Sequence, residues 1–82
     1  MASFTAQVRV TLKRGVLDPQ GKAIEGALGS LGFEGVGQVR QGKTFDIALD
    51  ADSKSKAEEA LNAMCEKLLA NTVIEDYTVN IE

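Results

Sequence analysis

The sequence predicts an α+β domain with the element order β-α-β-β-α-β, in which an antiparallel sheet carries two helices on one face. Three observations support this two-layer sandwich. Apolar and polar residues alternate near both ends of the chain, which is the period of a strand. Apolar residues also recur at helical spacing in two segments, and each segment follows a good helix-starting residue. The 82 residues leave room for one domain, which we take as residues 1–82.

The first predicted strand is followed directly by the first predicted helix. The strand's apolar face consists of Phe4, Ala6, Val8, Val10 and Leu12. Asp18 can accept from the first free helical N–H groups, and Pro19 suits the first helical position because it has no N–H to leave unpaired. The helix's apolar stripe consists of Ile24, Ala27, Leu28 and Leu31. Gly32 then suits the left-handed conformation that ends a helix.

The middle of the chain predicts a hairpin. Residues Val36–Gln41 are expected to form a short strand, and Gly42 lies at its turn. In the following strand, the apolar residues Phe45, Ile47 and Leu49 alternate with polar and small ones.

A second helix and a last strand complete the order. Ser55 and Glu58 have the spacing of a capping box, in which each side chain satisfies a backbone N–H. The expected buried stripe consists of Ala57, Leu61, Met64 and Leu68, flanked by Ala60 and Cys65. Asn71 is expected to end the helix in the left-handed conformation. The last strand carries Tyr77, Val79 and Ile81 on its apolar face.

Composition narrows the possible functions. The chain has one cysteine and no histidine, so it predicts neither an intrachain disulfide nor a metal cluster, and it has no histidine to act as a catalytic base. A net charge of −3 argues against nucleic acid as a partner. The start lacks the basic segment and apolar run of a signal peptide, and no apolar run is long enough to span a membrane. We therefore expect a cytoplasmic protein.

Cysteine, the carboxylates and two glycines each have a structural and a functional interpretation. Cys65 is either a small core residue or a reactive thiol, and its place on the apolar flank favours the core. The carboxylates are solvated surface charges or part of a magnesium site shared with a larger partner; they are Asp46, Asp50, Asp52, Glu75 and Asp76. Gly26 and Gly29 lie opposite the first helix's apolar stripe, where they are tolerated surface glycines or permit close approach of another backbone.

The join between the first strand and the first helix is the segment that ordinary turn chemistry does not explain. Lys13, Arg14, Val16 and Leu17 place two basic and two apolar residues where a polar turn would suffice. This excess indicates a surface that contacts a partner. Arg40 and Lys43 lie near a predicted turn, and whether they approach the join depends on the strand order.

Three segments resemble the PurS family, the small subunit of phosphoribosylformylglycinamidine synthase. They are Leu12-Lys13-Arg14-Gly15-Val16-Leu17-Asp18-Pro19-Gln20-Gly21, Val39-Arg40-Gln41-Gly42-Lys43 and Cys65-Glu66-Lys67-Leu68-Leu69-Ala70-Asn71-Thr72-Val73-Ile74-Glu75-Asp76-Tyr77. The match covers nearly the whole chain. One departure is Thr72, where the family usually has proline, and this leaves the turn after Asn71 less rigid.

The resemblance implies a fold related to ferredoxin-like units and a subunit without an active site, cofactor or metal of its own. It implies membership of a glutamine-dependent, ATP-consuming C–N ligase complex in de novo purine biosynthesis. In that complex the large synthetase subunit carries ATP and magnesium, and a separate glutaminase subunit releases ammonia. The small subunit bridges the two, supports ammonia transfer and self-associates as a dimer or tetramer. The resemblance implies neither a nucleic-acid nor a membrane partner.

Motif position and expected exposure give the candidate interface residues. They are Lys13, Arg14, Val16, Leu17, Arg40, Lys43, Asn71, Asp76 and Tyr77. Tyr77 is equally compatible with a place in the core, because it lies in the apolar alternation of the last strand. Two other functions fit the same topology: a stand-alone regulatory module that binds a small molecule, and an acylphosphatase-like hydrolase that would use Arg14.

Overall fold

The computed structural model describes all residues from Met1 to Glu82 and contains one antiparallel sheet and two α-helices. In chain order the elements are β1 (Ala2–Leu12), α1 (Pro19–Ser30), β2 (Gly42–Ala51), α2 (Lys54–Met64) with a π-helical turn (Cys65–Leu69), and β3 (Glu75–Ile81). The strand order is β2-β1-β3. The predicted α+β class with an antiparallel sheet is therefore confirmed. Neither helix has the length and apolar character that crossing a membrane requires.

The core lies between the central strand β1 and helix α2. Ala6, Val8 and Val10 point to the same face of β1, and all three are buried. Leu61 and Cys65 cover this face, and both are fully buried. The neighbouring strands extend the apolar face on both sides with half-buried residues, namely Phe45, Ile47, Leu49, Tyr77, Val79 and Ile81.

The predicted strand over Val36–Gln41 does not form, so the expected hairpin with β2 is absent. The backbone N–H groups of Val39 and Gln41 donate to carboxylates of Glu25 and Asp18 instead of to a neighbouring strand. β2 begins only at Gly42, where it pairs with Thr11 of β1. The segment is thus held by side chains of the α1 region rather than by the sheet.

Helix α1 does not pack on the sheet, which corrects the expectation of two helices on one face. Only Gly21 is buried in α1, while Ile24 and Leu31 of its apolar stripe remain exposed. The radius of gyration is 16.5 Å and the longest dimension is 52 Å. A compact domain of this length would have a radius of gyration of about 12 Å. The chain is therefore elongated, and its own sheet leaves α1 uncovered.

Helix α2 begins two residues earlier than the capping box predicted. Ser53, not Ser55, is the N-cap: its backbone is extended, and its hydroxyl accepts from the N–H of Lys56 at 3.2 Å. Since the third helical residue is then Lys56, Glu58 cannot complete a capping box. Serine favours the N-cap position, and of the two serines the structure uses Ser53.

The end of α2 also differs from the prediction. The N–H of Ala70 donates to the carbonyl of Cys65, five residues back, which marks a π-helical turn. Two residues of the expected buried stripe are exposed, namely Met64, which is 36% exposed, and Leu68 within the π-helical turn, which is 84% exposed. Asn71 does not end the helix in the left-handed conformation, because no residue other than glycine has a positive φ. Gly32, after α1, does have one (φ 93°), as predicted.

Candidate functional site

The β1–α1 join, residues Lys13–Leu17, is held firmly at both ends. The N–H of Lys13 donates to the carbonyl of Ile74 at 2.9 Å, and the N–H of Val16 donates back to the carbonyl of Lys13 at 3.0 Å. At the far end, the buried Asp18 caps α1 by accepting from the N–H of Gly21 at 2.9 Å. Pro19 occupies the first helical turn. The predicted helix start is therefore confirmed, and the join is a fixed turn.

The side chain of Arg40 also holds the join, through hydrogen bonds to its backbone. Its guanidinium donates to the carbonyl oxygens of Val16 (3.0 Å) and Lys13 (2.9 Å), with a longer contact to that of Leu12 (3.4 Å). A planar guanidinium with several fixed donors suits such a cluster of acceptors. Arg40 was predicted as an interface residue. The structure shows that its side chain is engaged within the chain.

Two carboxylates fasten the segment that carries Arg40. Asp18 accepts from the N–H of Gln41 at 2.7 Å, and Glu25 accepts from the N–H of Val39 at 2.6 Å. The Gln41 N–H is the main cause that lowers the pKa of Asp18, with help from the Gly21 N–H and the Arg40 charge. The Val39 N–H likewise lowers the pKa of Glu25. Both carboxylates therefore hold the segment in their ionised form.

Ion pairs tie the join and β2 to β3. Lys13 lies 3.1 Å from a carboxylate oxygen of Asp76, and Lys43 lies 4.0 Å from one of Glu75. The Lys43 ammonium also lies 5.8 Å from the ring centroid of Phe45. All four charged side chains keep some solvent exposure, so each pair contributes little to stability. Lys13, Asp76 and Lys43 are thus placed near one another, as interface candidates that already have partners within the chain.

Asn71 and Tyr77 organise the approach to β3. The side-chain oxygen of Asn71 accepts from the N–H of Val73 at 3.2 Å, and the backbone carbonyl of Asn71 accepts from the N–H of Glu75 at 2.8 Å. Tyr77 packs against the core, and its hydroxyl donates to Glu66 at 3.2 Å. Burial, followed by this hydrogen bond, raises the pKa of Tyr77. Both residues have structural roles, and their contact with a partner stays a prediction.

Arg14 and Leu17 are the candidates that the structure leaves free. The Arg14 side chain is exposed and makes no hydrogen bond or ion pair within the chain. Leu17 is 70% exposed. Both line a groove of about 300 Å³ that also contains Val16, Lys22 and Arg40. The structure therefore brings Arg14 and Arg40 to one groove, whereas Lys43 lines the adjacent one.

The sequence reasoning missed two exposed apolar surfaces. One follows α1, where Leu31 is 74% and Phe33 59% exposed, with Val36 beside them in the chain. The other follows α2 and carries Leu68 and Val73. The signal for the first surface was present, because an apolar stripe needs a cover wherever it lies. Nothing in the pattern said that the cover is missing from this chain.

Cys65, the one cysteine, is a packed residue of the hydrophobic core. Burial raises the pKa of the Cys65 thiol, with a smaller effect from Glu66, so the thiol is protonated at neutral pH and is a poor nucleophile. No group of three or more histidine, cysteine or acidic side chains is placed to hold a metal ion. Asp50 accepts from the hydroxyl of Ser3 at 2.8 Å on the polar face of the sheet.

Comparison with known proteins identifies a family and close relatives of this chain. Residues 5–82 match the family model PurS, described as phosphoribosylformylglycinamidine (FGAM) synthase. The chain is 53% identical over 77 residues to the phosphoribosylformylglycinamidine synthase subunit PurS of Mycobacterium leprae, with 94% of each chain covered.

Two solved structures are similar throughout. Methanocaldococcus jannaschii PurS, one of the subunits of formylglycinamide ribonucleotide amidotransferase in the purine biosynthetic pathway, is 43% identical, with a TM-score of 0.86 over 96% of this chain and 95% of that one. A chain in the structure of PurLQS from Thermotoga maritima is 34% identical, with a TM-score of 0.91 and full coverage of both chains. The chain therefore belongs to the PurS family of phosphoribosylformylglycinamidine synthase subunits.

Proposed function

We propose that this chain is the non-catalytic small subunit of a phosphoribosylformylglycinamidine synthase complex in de novo purine biosynthesis. In this role it bridges the ATP-dependent synthetase subunit and the glutaminase subunit and supports the transfer of ammonia between them. The whole of residues 1–82 acts as one domain, and it works in the cytoplasm. ATP and magnesium bind to the large subunit, and this chain binds no cofactor.

The observation that carries the proposal is the incomplete core. Only ten of the 82 residues are buried, and the apolar side chains of α1 and of the segment after it have no cover within the chain. Exposed apolar surfaces of this kind mark contacts with other proteins. A subunit whose structure is completed by its neighbours fits this arrangement.

Self-association is the first of these contacts. The apolar stripe of α1 is uncovered and the apolar side chains of β2 are only half-buried, so both leave apolar surface that a second copy can cover. We infer that a second copy covers the surface formed by Leu31, Phe33 and Val36, which gives a dimer or a pair of dimers. Light scattering on the purified chain measures this directly, and a monomer at micromolar concentration would contradict it.

The fixed join is the second contact. Its geometry is set by Arg40, Asp18 and Lys13, whose side chains are engaged within the chain, while Arg14 and Leu17 face outward. A preorganised turn loses little conformational entropy on binding, which favours a protein contact.

Reconstitution tests the proposed function. The synthetase and glutaminase subunits are assayed for amidation of formylglycinamide ribonucleotide with glutamine and, separately, with ammonium chloride as the nitrogen source. Addition of this chain should raise the rate with glutamine far more than the rate with ammonium, because free ammonia does not need to be passed between subunits. Equal rates with and without the chain would contradict the proposal. Turnover of an acyl phosphate by the chain alone would favour the hydrolase instead.

A further inference from the structure

The Arg14 groove is the surface on which the charges of the join converge. Arg14, Lys22 and Arg40 line it together with the exposed Leu17, and its volume is about 300 Å³. Three cations and two ionised carboxylates line the groove, so it has an excess of one positive charge, whereas the chain as a whole carries a net charge of −3. The two carboxylates in the same groove are those of Asp18 and Glu25.

The charged groups of the groove are engaged, with one exception. Asp18 and Glu25 accept from backbone N–H groups, and Lys22 lies 3.4 Å from Glu25. Arg40 donates to the carbonyl oxygens of the join. Only the guanidinium of Arg14 keeps all its donors free. A free guanidinium binds a carboxylate through two parallel hydrogen bonds, a geometry that ammonium groups cannot reproduce.

The groove differs in chemistry from the apolar surface that a second copy would cover. Lys22 lies on the side of α1 away from the apolar residues Ile24, Leu28 and Leu31, whereas Glu25 lies at the edge of their stripe, one turn before Leu28. The apolar stripe favours an apolar partner surface, whereas a groove whose free group is a guanidinium favours a carboxylate. The stripe and the groove are therefore suited to different partner surfaces.

Together with the proposed function, on which this inference rests, these contacts identify the partner's chemistry. We propose that the groove binds an aspartate or glutamate side chain of a larger subunit, with an apolar neighbour of that residue packed on Leu17. The carboxylate pairs with Arg14, whose charge has no partner within the chain, whereas Lys22 and Arg40 lie beside the carboxylates of Glu25 and Asp18. Leu17 supplies the apolar contact that excludes water from this pair.

The test measures binding of the full-length chain to the mixture of synthetase and glutaminase subunits by sedimentation velocity. Arg14→Glu should weaken binding by about tenfold or more, because it puts a carboxylate opposite a carboxylate. The affinity of Arg14→Lys should lie between those of the wild type and Arg14→Glu, since lysine keeps the charge and loses the paired hydrogen-bond geometry. Arg9→Glu is the matched control: it makes the same charge change on the polar face of β1 and should stay within about twofold of the wild type. Higher salt should narrow the difference between Arg14→Glu and the wild type.

The outcomes separate the two proposals. If the wild-type chain does not bind the larger subunits at all, the proposed function fails. If the wild type binds and Arg14→Glu binds as well as Arg9→Glu does, only the groove assignment is overturned. In the absence of the larger subunits, light scattering could show a lower oligomer mass for Arg14→Glu than for the wild type. This result would make a second copy the occupant of the groove and would also overturn the groove assignment. Circular dichroism checks each variant's fold, and Arg14→Gln replaces Arg14→Glu if the latter does not fold.

Discussion

The guanidinium of Arg40 lies 2.9 Å from the carbonyl oxygen of Lys13, although the two residues are 27 positions apart in the chain. Together with the hydrogen bond from Arg40 to the carbonyl oxygen of Val16, this contact holds the join in place. Two further hydrogen bonds flank Arg40: the N–H of Val39 donates to Glu25, and the N–H of Gln41 donates to Asp18. Because these N–H groups are engaged by side chains of the α1 region, residues 36–41 do not pair as a strand. The shape of the presented surface therefore depends on long-range contacts between side chains and backbone.

Replacement of Arg40 should loosen the join without unfolding the sheet. Arg40→Ala is expected to cost about 1 kcal/mol in the free energy of unfolding, because the lost hydrogen bonds are solvent-exposed. Urea unfolding at a fixed protein concentration measures this cost, and hydrogen exchange at the Val16 amide should become faster. Arg9→Ala, which removes an arginine that makes no such contacts, should change neither. Unaltered exchange at Val16 in Arg40→Ala would contradict the role given to Arg40.

Stability should fall in acid because of Asp18 and Glu25. Their folded pKa values lie below the ordinary values of 3.8 and 4.5, so the unfolded chain binds protons more readily than the folded one. The stabilisation is complete above these ordinary values and is lost as the pH falls through the folded pKa values. Thermal unfolding between about pH 6 and 3 measures the slope. Asp18→Asn should flatten it, and an unchanged slope in this variant would contradict the assignment.

The glycines of α1 should divide into two classes. A Cβ atom on Gly21 would overlap the carbonyl oxygen of Val39, whereas Cβ atoms on Gly26 and Gly29 would meet nothing within 4 Å. Gly21→Ala should therefore destabilise the chain by about 1–3 kcal/mol. Gly26→Ala and Gly29→Ala should each stabilise α1 by up to about 1 kcal/mol, because alanine favours the helix. Thermal unfolding of the three single variants is the measurement, and the opposite order would be incompatible with the structure.

Self-association should depend on the surface that follows α1. The double variant Leu31→Ser, Phe33→Ser is expected to lower the mass of the oligomer while the circular dichroism spectrum stays the same, because both side chains are exposed in the single chain. Leu68→Ser removes a leucine from the other apolar surface and serves as the matched control. A lower mass for Leu68→Ser with an unchanged mass for the double variant would place the self-contact at the end of α2.

The thiol of Cys65 should resist modification in the folded chain. It is fully buried, and burial raises its pKa, so both access and thiolate are lacking. Alkylation by iodoacetamide at neutral pH should be slow in buffer and fast in urea. Equal rates in the two conditions would show that the π-helical turn opens readily.

Local patterns were sufficient for much of the fold and for little of the site. The alternation of Val8 and Val10 identified the buried face of β1, and Asp18 with Pro19 identified the start of α1. These features depend on neighbours in the chain. The hydrogen bonds from Arg40 to the join reach residues more than twenty positions away, and no short-range pattern encodes them.

The errors have equally physical causes. The predicted stripe assumed a regular α-helix as far as Leu68, whereas a π-helical turn begins at Cys65 and Leu68 is exposed. The stripe of α1 correctly indicated an apolar face. A single sequence cannot say whether the cover comes from the same chain or from another one.

The most direct test of an assembly subunit is a titration. Increasing amounts of this chain are added to fixed amounts of the synthetase and glutaminase subunits, and the rate of glutamine-dependent amidation is recorded. The account predicts that the rate rises and saturates at a fixed molar ratio to the synthetase. A variant with both Arg14→Glu and Leu17→Ser should fold normally but need much higher concentrations to reach the same rate. A rate that does not depend on the added chain would contradict the central claim.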